Sequence, residues 1–320
     1  MKSCGGITRK MNKFAGVKIK NMKNLSGIES LKASRPWSFA VITVIYLIAT
    51  ALGVWTFLLF VDMAVLLRLF VADFVATVFV WLWGVIFRNS SVYDPYWSVA
   101  PPLMLTGYAI YCGSSSLAVV LMLVAVWYWA IRLTGNWAYT FPNLNKQDWR
   151  YDMYKQRFPR LWHIVNFSGI HLMPTVVVFL AMVPGFLLIE RTASCPVQAN
   201  LWTWAGFFVC VGAATLQLIS DTQAHRFRKV HRGEVCTRGL WSLSRHPNYL
   251  GEILMWWGIY MIYLTAVQES QSWQGIVIPA LGALANTCLF IFISIPMMEK
   301  RQMANKPAYA AYRKSVRMLI

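Results

Sequence analysis

Seven apolar runs, each near the roughly 20 residues an α-helix needs to cross a bilayer, leave this chain few ways to fold. They read at Phe39–Phe60, Ala64–Phe87, Ser116–Leu133, Gly169–Ile189, Leu201–Ile219, Leu250–Val267 and Gly275–Pro296. Val99–Tyr111 is a shorter eighth candidate, and its Pro101-Pro102 pair suggests a broken or re-entrant piece buried by its neighbours. At 58% hydrophobic, 15% aromatic and 13% charged content, no stretch remains for a soluble domain. The expected fold is all-α, a polytopic transmembrane helical bundle of about eight spans with both termini cytoplasmic. Residues 37–320 read as one domain, with a cationic, disordered cytoplasmic tail at 1–36.

A net charge of +18 invites nucleic acid as a partner, but its distribution argues against that. With eight spans and the N-terminus inside, 28 of the 30 Lys/Arg fall on inner segments, and only Arg68 and Arg191 fall elsewhere. That is a positive-inside pattern, which seven spans would break. The expected partner is therefore the lipid bilayer, in an integral multi-pass protein of the endoplasmic reticulum membrane if eukaryotic and of the inner membrane if bacterial. Residues 1–36 hold nine basic residues and one acid, Glu29, with no early apolar core, so a cleavable secretory signal is not expected. The tail suits anionic lipid, and its shortage of acids also allows an organellar targeting segment. The six cysteines lack metal-ligand spacing and read as small hydrophobes, with Cys112 and Cys195 able to pair on the outer side. Five histidines without repeated histidine boxes give no metal site.

The chemistry concentrates in TRGLWSLSRHPNYLGEILMWWGI, Thr237 to Ile259, where a basic aromatic loop turns into an apolar helix. Pro247 suits the first helical position, since its φ is preset and its missing N–H would be unpaired there. Asn248 and Glu252 then share a face, with Tyr249 three before Glu252 and with Arg245 and His246 at the helix start. A carboxylate so early in an apolar helix either reaches headgroup water, as an interfacial cap, or grips something. Upstream, Gln217, Asp221, His225 and Arg228 are spaced four, four and three, forming one polar stripe on a helix that leaves the membrane. Asp94 lies in Asn89-Ser-Ser-Val-Tyr-Asp-Pro-Tyr-Trp-Ser98, where Tyr93, Tyr96 and Trp97 would raise its pKa so that, protonated, it donates to a carbonyl. The same residue could simply cap the third span. Tyr128 and Arg132 share a face further on, the tyrosine as a second donor or both as interface residues. Residues 146–163 read as a helix lying on the inner membrane surface, without a catalytic role.

RHPNYLGE, preceded by Gly239-Leu240-Trp241, resembles the signature shared by membrane steroid 5α-reductases, sterol C14-reductases, isoprenylcysteine carboxyl methyltransferases and related phospholipid methyltransferases. The resemblance runs from about Asp62 to Ile320 and is nearest to the uncharacterised branch carrying the steroid 5α-reductase C-terminal domain. It implies a cofactor half at 201–320. In the steroid reductases an acid near the position of Asp94 polarises the substrate ketone, with a tyrosine within one position of Tyr128. An amide, an acid and an arginine at the spacing of Gln217, Asp221 and Arg228 hold the nicotinamide nucleotide, and the closing helix adds an acid and a base, here Glu299 and Arg301. No G-x-G-x-x-G follows a strand, so the pocket must use side chains. Arg228, Arg238 and Arg245 suit phosphates, Asn248 and Glu252 suit amide and hydroxyl groups, and Tyr249 or Trp241 suits ring stacking. The expectation is an NADPH-dependent oxidoreductase that reduces a conjugated C=C of a lipid or steroid-like enone, a lipophilic small-molecule substrate. A methyltransferase using S-adenosylmethionine, or a non-catalytic sterol- or lipid-binding protein, are its rivals.

Overall fold

The computed structural model describes residues 27–267 and 272–319. All regular structure among them is helical. The elements are α1 Gly27–Ala33, α2 Arg35–Leu59, α3 Val65–Ile86, α4 Tyr96–Cys112, α5 Leu117–Thr140 and α6 Trp149–Arg157. There follow α7 Trp162–Ser194, α8 Leu201–Val230, α9 Pro247–Tyr263, α10 Trp273–Asn305 and α11 Tyr309–Ser315. Six of these, α2, α3, α5, α7, α8 and α10, are long and apolar enough to cross a membrane. The protein is thus a polytopic helical membrane protein. The 17 residues of α4 and of α9 rise about 25 Å at 1.5 Å per residue, and both helices pack among the longer ones.

Local chemistry sets the ends. Asn200 and Thr203 form a reciprocal capping box at the start of α8. Ser116 accepts the Val119 N–H at the start of α5. Pro247 opens α9 as its spacing predicts. Gly113, at φ 68°, closes α4 in the left-handed conformation that a glycine adopts without strain. Two expectations need correction. α4 is not broken: it runs through Pro101 and Pro102, both buried as expected, and packing against α5 and α7 keeps it continuous. The tail expected over 1–36 lies outside the described residues for 1–26, but α1 is ordered by tertiary bonds. Lys32 Nζ donates to the Phe87 carbonyl at 2.8 Å, and Asn145 donates to that of Glu29 at 3.0 Å.

The most extensive packing joins α8 to α9. A Cβ on Gly251 would lie 2.6 Å from the Ala213 carbonyl oxygen, and one on Gly206 would lie 2.6 Å from that of Gly258. Small residues let the two backbones touch, as helices do where lipid supplies no hydrophobic drive to associate. Around this pair a large core holds Trp129 and Trp256, both fully buried. A second core joins α2 and α3 to Tyr93 and Tyr96, so the Asp94 connection sits between the two. Arg68 and Asp73 are buried and bond to neighbouring helices. Arg68 bonds the Phe57 carbonyl across to α2, and Asp73 accepts from the Tyr96 hydroxyl at 2.7 Å. Cys112 and Cys195 are free thiols.

Candidate functional site

Where the Asn89–Pro95 connection, α6 and the start of α9 meet, the helices line a half-open cavity of about 820 Å³, within the ~300–1,000 Å³ usual for small-molecule sites. Its first wall is assembled by side-chain bonds to backbone. The Asn89 amide donates to the carbonyls of Leu144 at 2.6 Å and Lys146 at 3.0 Å, while its oxygen accepts the Ser91 N–H. Ser91 Oγ accepts the Asp148 N–H at 2.9 Å, and Asp148 caps α6 by accepting the Arg150 N–H. These stitches bring α6 against the Asp94 connection. Tyr151 consequently donates its phenol to Asp94 Oδ1. Burial pushes the Asp94 carboxyl up to about 6, against the opposing pull of Arg150 and the Tyr151 hydrogen bond. The same burial, with Asp94 beside it, holds the Tyr151 phenol in its neutral form.

The opposite wall comes from α5, α8 and α9. Arg132 pairs with Asp221 at 3.0 Å, and Asn248 Nδ2 donates to the other Asp221 oxygen at 3.2 Å. Glu252 accepts two indole N–H groups, from Trp129 at 2.9 Å and Trp256 at 3.2 Å. The carboxylate therefore grips the bundle and does not reach for headgroups. Gln217 is buried beside it, and on α10 the Asn286 carbonyl oxygen is buried without a hydrogen-bond partner among the described residues. Such an acceptor gains from a ligand N–H or O–H. Arg301 closes the cavity's lower edge, its guanidinium 4.0 Å from the Trp149 ring centroid.

Seven of the residues singled out in the sequence meet at this cavity: Asp94, Gln217, Asp221, Asn248, Tyr249, Glu252 and Arg301. Six do not line it. Tyr128 spends its hydroxyl on Thr215, 3.1 Å away on α8, and Tyr151 takes the place beside Asp94. Arg228 is exposed and bonds His225, which in turn reaches Asn136 of the cavity wall at 2.7 Å. Arg238 is exposed ahead of the Gly239–Ser242 turn. Arg245, His246 and Glu299 form a clamp of their own. Glu299 meets Arg245 at 2.7 Å, His246 at 3.1 Å and Arg313 at 3.0 Å, and Arg245 also donates to the Arg313 and Val316 carbonyls. Those groups fasten residues 313–318 to the loop before α9, because a buried guanidinium with that many acceptors is already saturated. Burial lowers the His246 pKa, and its ring stacks 5.3 Å from Tyr249, so it supports the wall from behind.

A family profile described as protein of unknown function (DUF1295) matches residues 80–316. The chain belongs to that family. In this DUF1295 protein every residue lining the cavity, from Ser91 to Arg301, falls inside the matched span. An uncharacterised protein of Schizosaccharomyces pombe is 24% identical over 221 residues, which is 60% of this chain. The chain spans 63% of that relative's length. No solved structure matches.

Arg132, Asn136, Trp149 and Tyr151 also face the cavity and were not singled out for it in the sequence. Their hydrogen bonds reach 57 to 89 residues along the chain, between Tyr151 and Asp94, Arg132 and Asp221, and Asn136 and His225. The one local hint was the density of aromatics in 149–154, which an interfacial helix accounts for equally well.

Proposed function

We propose that the cavity is the active site of an NADPH-dependent membrane reductase acting on a conjugated C=C of a lipid or steroid-like enone. The observation that carries this reading is the Asp94–Tyr151 pair, a carboxyl and a phenol joined on one wall of a cavity that combines apolar surface with several polar groups. The RHPNYLGE resemblance lends it support. Asn248, Asp221, Gln217 and the unpartnered Asn286 oxygen suit the carboxamide and ribose of a nicotinamide nucleotide. Lys146 and Arg301, both exposed at the mouth, suit its phosphates. The bound nucleotide would supply a hydride.

The chain's own groups do the rest. Asp94, protonated on the oxygen that Tyr151 does not hold, donates to the enone oxygen. As the β-carbon gains hydride, negative charge develops on that oxygen and the hydrogen bond strengthens. A proton then reaches the α-carbon from the aqueous mouth, and the product is the saturated ketone. Water exclusion by Trp97, Trp149 and Tyr154 sharpens the polarisation.

One observation favours a second reading. The lining carries four cations, Arg132, Lys146, Arg150 and Arg301, against four acids, Asp94, Asp148, Asp221 and Glu252. A balanced cavity suits a cofactor less anionic than a dinucleotide, such as S-adenosylmethionine, whose sulfonium carbon would be passed to a lipid acceptor. The test offers purified protein NADPH with an enone lipid, and separately S-adenosylmethionine with an isoprenylcysteine or aminophospholipid acceptor. NADPH oxidation coupled to enone loss is expected. Methyl transfer without NADPH oxidation would replace the first reading by the second.

A further inference from the structure

Two helices of the cavity wall loosen into π-helix where they face it. Asn166–Leu172 does so within α7, and Phe290–Ser294 within α10. A π-turn opens the backbone spacing and is found at functional positions more often than elsewhere. Both stretches line the cavity, through Gly169 and Ile170 on one side and Phe290, Ile293 and Ser294 on the other. Above them the helices are locked together, since a Cβ on Gly282 would collide with the Leu180 carbonyl. Below them α6 forms a sill, with Tyr154 Oη 3.7 Å from Met297 Sδ and Arg301 over Trp149.

Between these four edges, residues that line the cavity are also exposed on the outer surface. A Cβ built on Gly169 meets no atom within 4 Å, and Ile293 is 45% exposed although it lines the cavity. The outer surface beside the gap is apolar, with Ile164 at 65% and Phe292 at 71% exposure. Both helices are long and apolar enough to cross the membrane, so this surface would face lipid tails. Lys146, also exposed, belongs to the connection between α5 and α6 and to neither π-turn.

We propose that the gap between the π-turns of α7 and α10 is a lateral window through which a membrane lipid enters the cavity. Its occupant is a lipid with an apolar chain or ring body and a single carbonyl at the end that penetrates. The apolar rim of Ile170, Met173, Phe290 and Ile293 keeps the body in contact with bilayer while the carbonyl reaches the polar wall. Soluble cofactor and lipid thus approach by different routes. This inference rests on the reading of the cavity as an active site for a lipophilic substrate.

The test reconstitutes the full chain in phosphatidylcholine vesicles containing a long-chain alkyl ketone with a diazirine beside the carbonyl and a terminal alkyne. After irradiation, labelled peptides are mapped. In the unmodified protein, label is expected on the peptides holding Trp149–Tyr154 and Tyr249. Gly169→Trp and Ile293→Trp each fill the window with an indole and should lose that label while keeping label at outward-facing Ile278, provided each melts as the parent does. Cavity labelling that persists in both folded variants, or label confined to the outer surface of the unmodified protein, overturns the window. Labelling needs no turnover. Failure of enones to oxidise NADPH would therefore remove the reductase reading and leave the window standing.

Discussion

Asp94 and Tyr151 are coupled, and the sign of that coupling can be measured. In the proposed reaction the acid form of Asp94 is the hydrogen-bond donor, and it predominates below about 6, so kcat/KM for enone reduction should fall as pH rises through about 6. Tyr151 donates to the carboxylate and thereby favours its charged form. Tyr151→Phe should therefore move the falling limb of the profile to higher pH, which a merely structural tyrosine would not do. Asp94→Asn should leave NADPH affinity nearly intact, flatten the profile and lower turnover by roughly a hundredfold; unchanged turnover would end its proposed role. Arg245 calls for the opposite expectation. It is committed to Glu299 and to two carbonyls near the end of the chain, so Arg245→Ala should cost on the order of 3 kcal/mol of stability. Its melting temperature in detergent should drop equally with and without NADPH; selective loss of ligand protection would return Arg245 to the cofactor. In the sequence, Arg245 and Arg301 were indistinguishable as basic residues near a motif. Only the position of Glu299 three-dimensionally between Arg245, His246 and Arg313 separates them.

Spacing on single helices was the most legible level. The pairs Asn248 with Glu252 and Gln217 with Asp221 were each read as one face, and the folded chain turns those two faces toward each other across the α8–α9 contact. What aligns them is backbone proximity at Gly206, Gly251 and Gly258, a property of pairs of helices that no single-helix periodicity encodes. Gly251→Val should accordingly push Ala213 and Gln217 away. The expected loss is about 1–3 kcal/mol, the usual cost of overpacking, with weaker binding of whichever cofactor the cavity takes. Thermal melts with and without NADPH and with and without S-adenosylmethionine measure both effects; a variant as stable as the parent would show that α8 and α9 have room to separate. Interhelical positions such as Tyr151 and Arg132 stayed illegible for a related reason. Amphipathic pattern says which face a residue occupies but not which neighbour that face meets.

At the scale of the whole molecule, the charge pattern and the cavity concern the same end of the bundle. If eight helices cross, α4 and α9 included, with both termini cytoplasmic, the polar mouth opens toward the cytoplasm. A cysteine at position 235, in a chain whose other thiols are replaced, should then react with an impermeant maleimide only from the cytoplasmic side; reaction from the outside would invert the arrangement and strand the mouth away from cytoplasmic cofactor. The two long walls differ in how they are held. On one side, α8 and α9 are seated glycine against backbone and cannot slide without a collision. On the other, α6 hangs from the Asn89, Ser91 and Asp148 hydrogen bonds. The cavity is built like a vice with one fixed jaw. A ligand should then be measured against the α8–α9 face, with differences in its size expected to be taken up by α6. On the proposed reading, tolerance for a range of lipid shapes would reside in a nine-residue helix, and a collection of inhibitors would diverge in their contacts with Trp149 and Tyr154 while agreeing in those with Asp221 and Asn248.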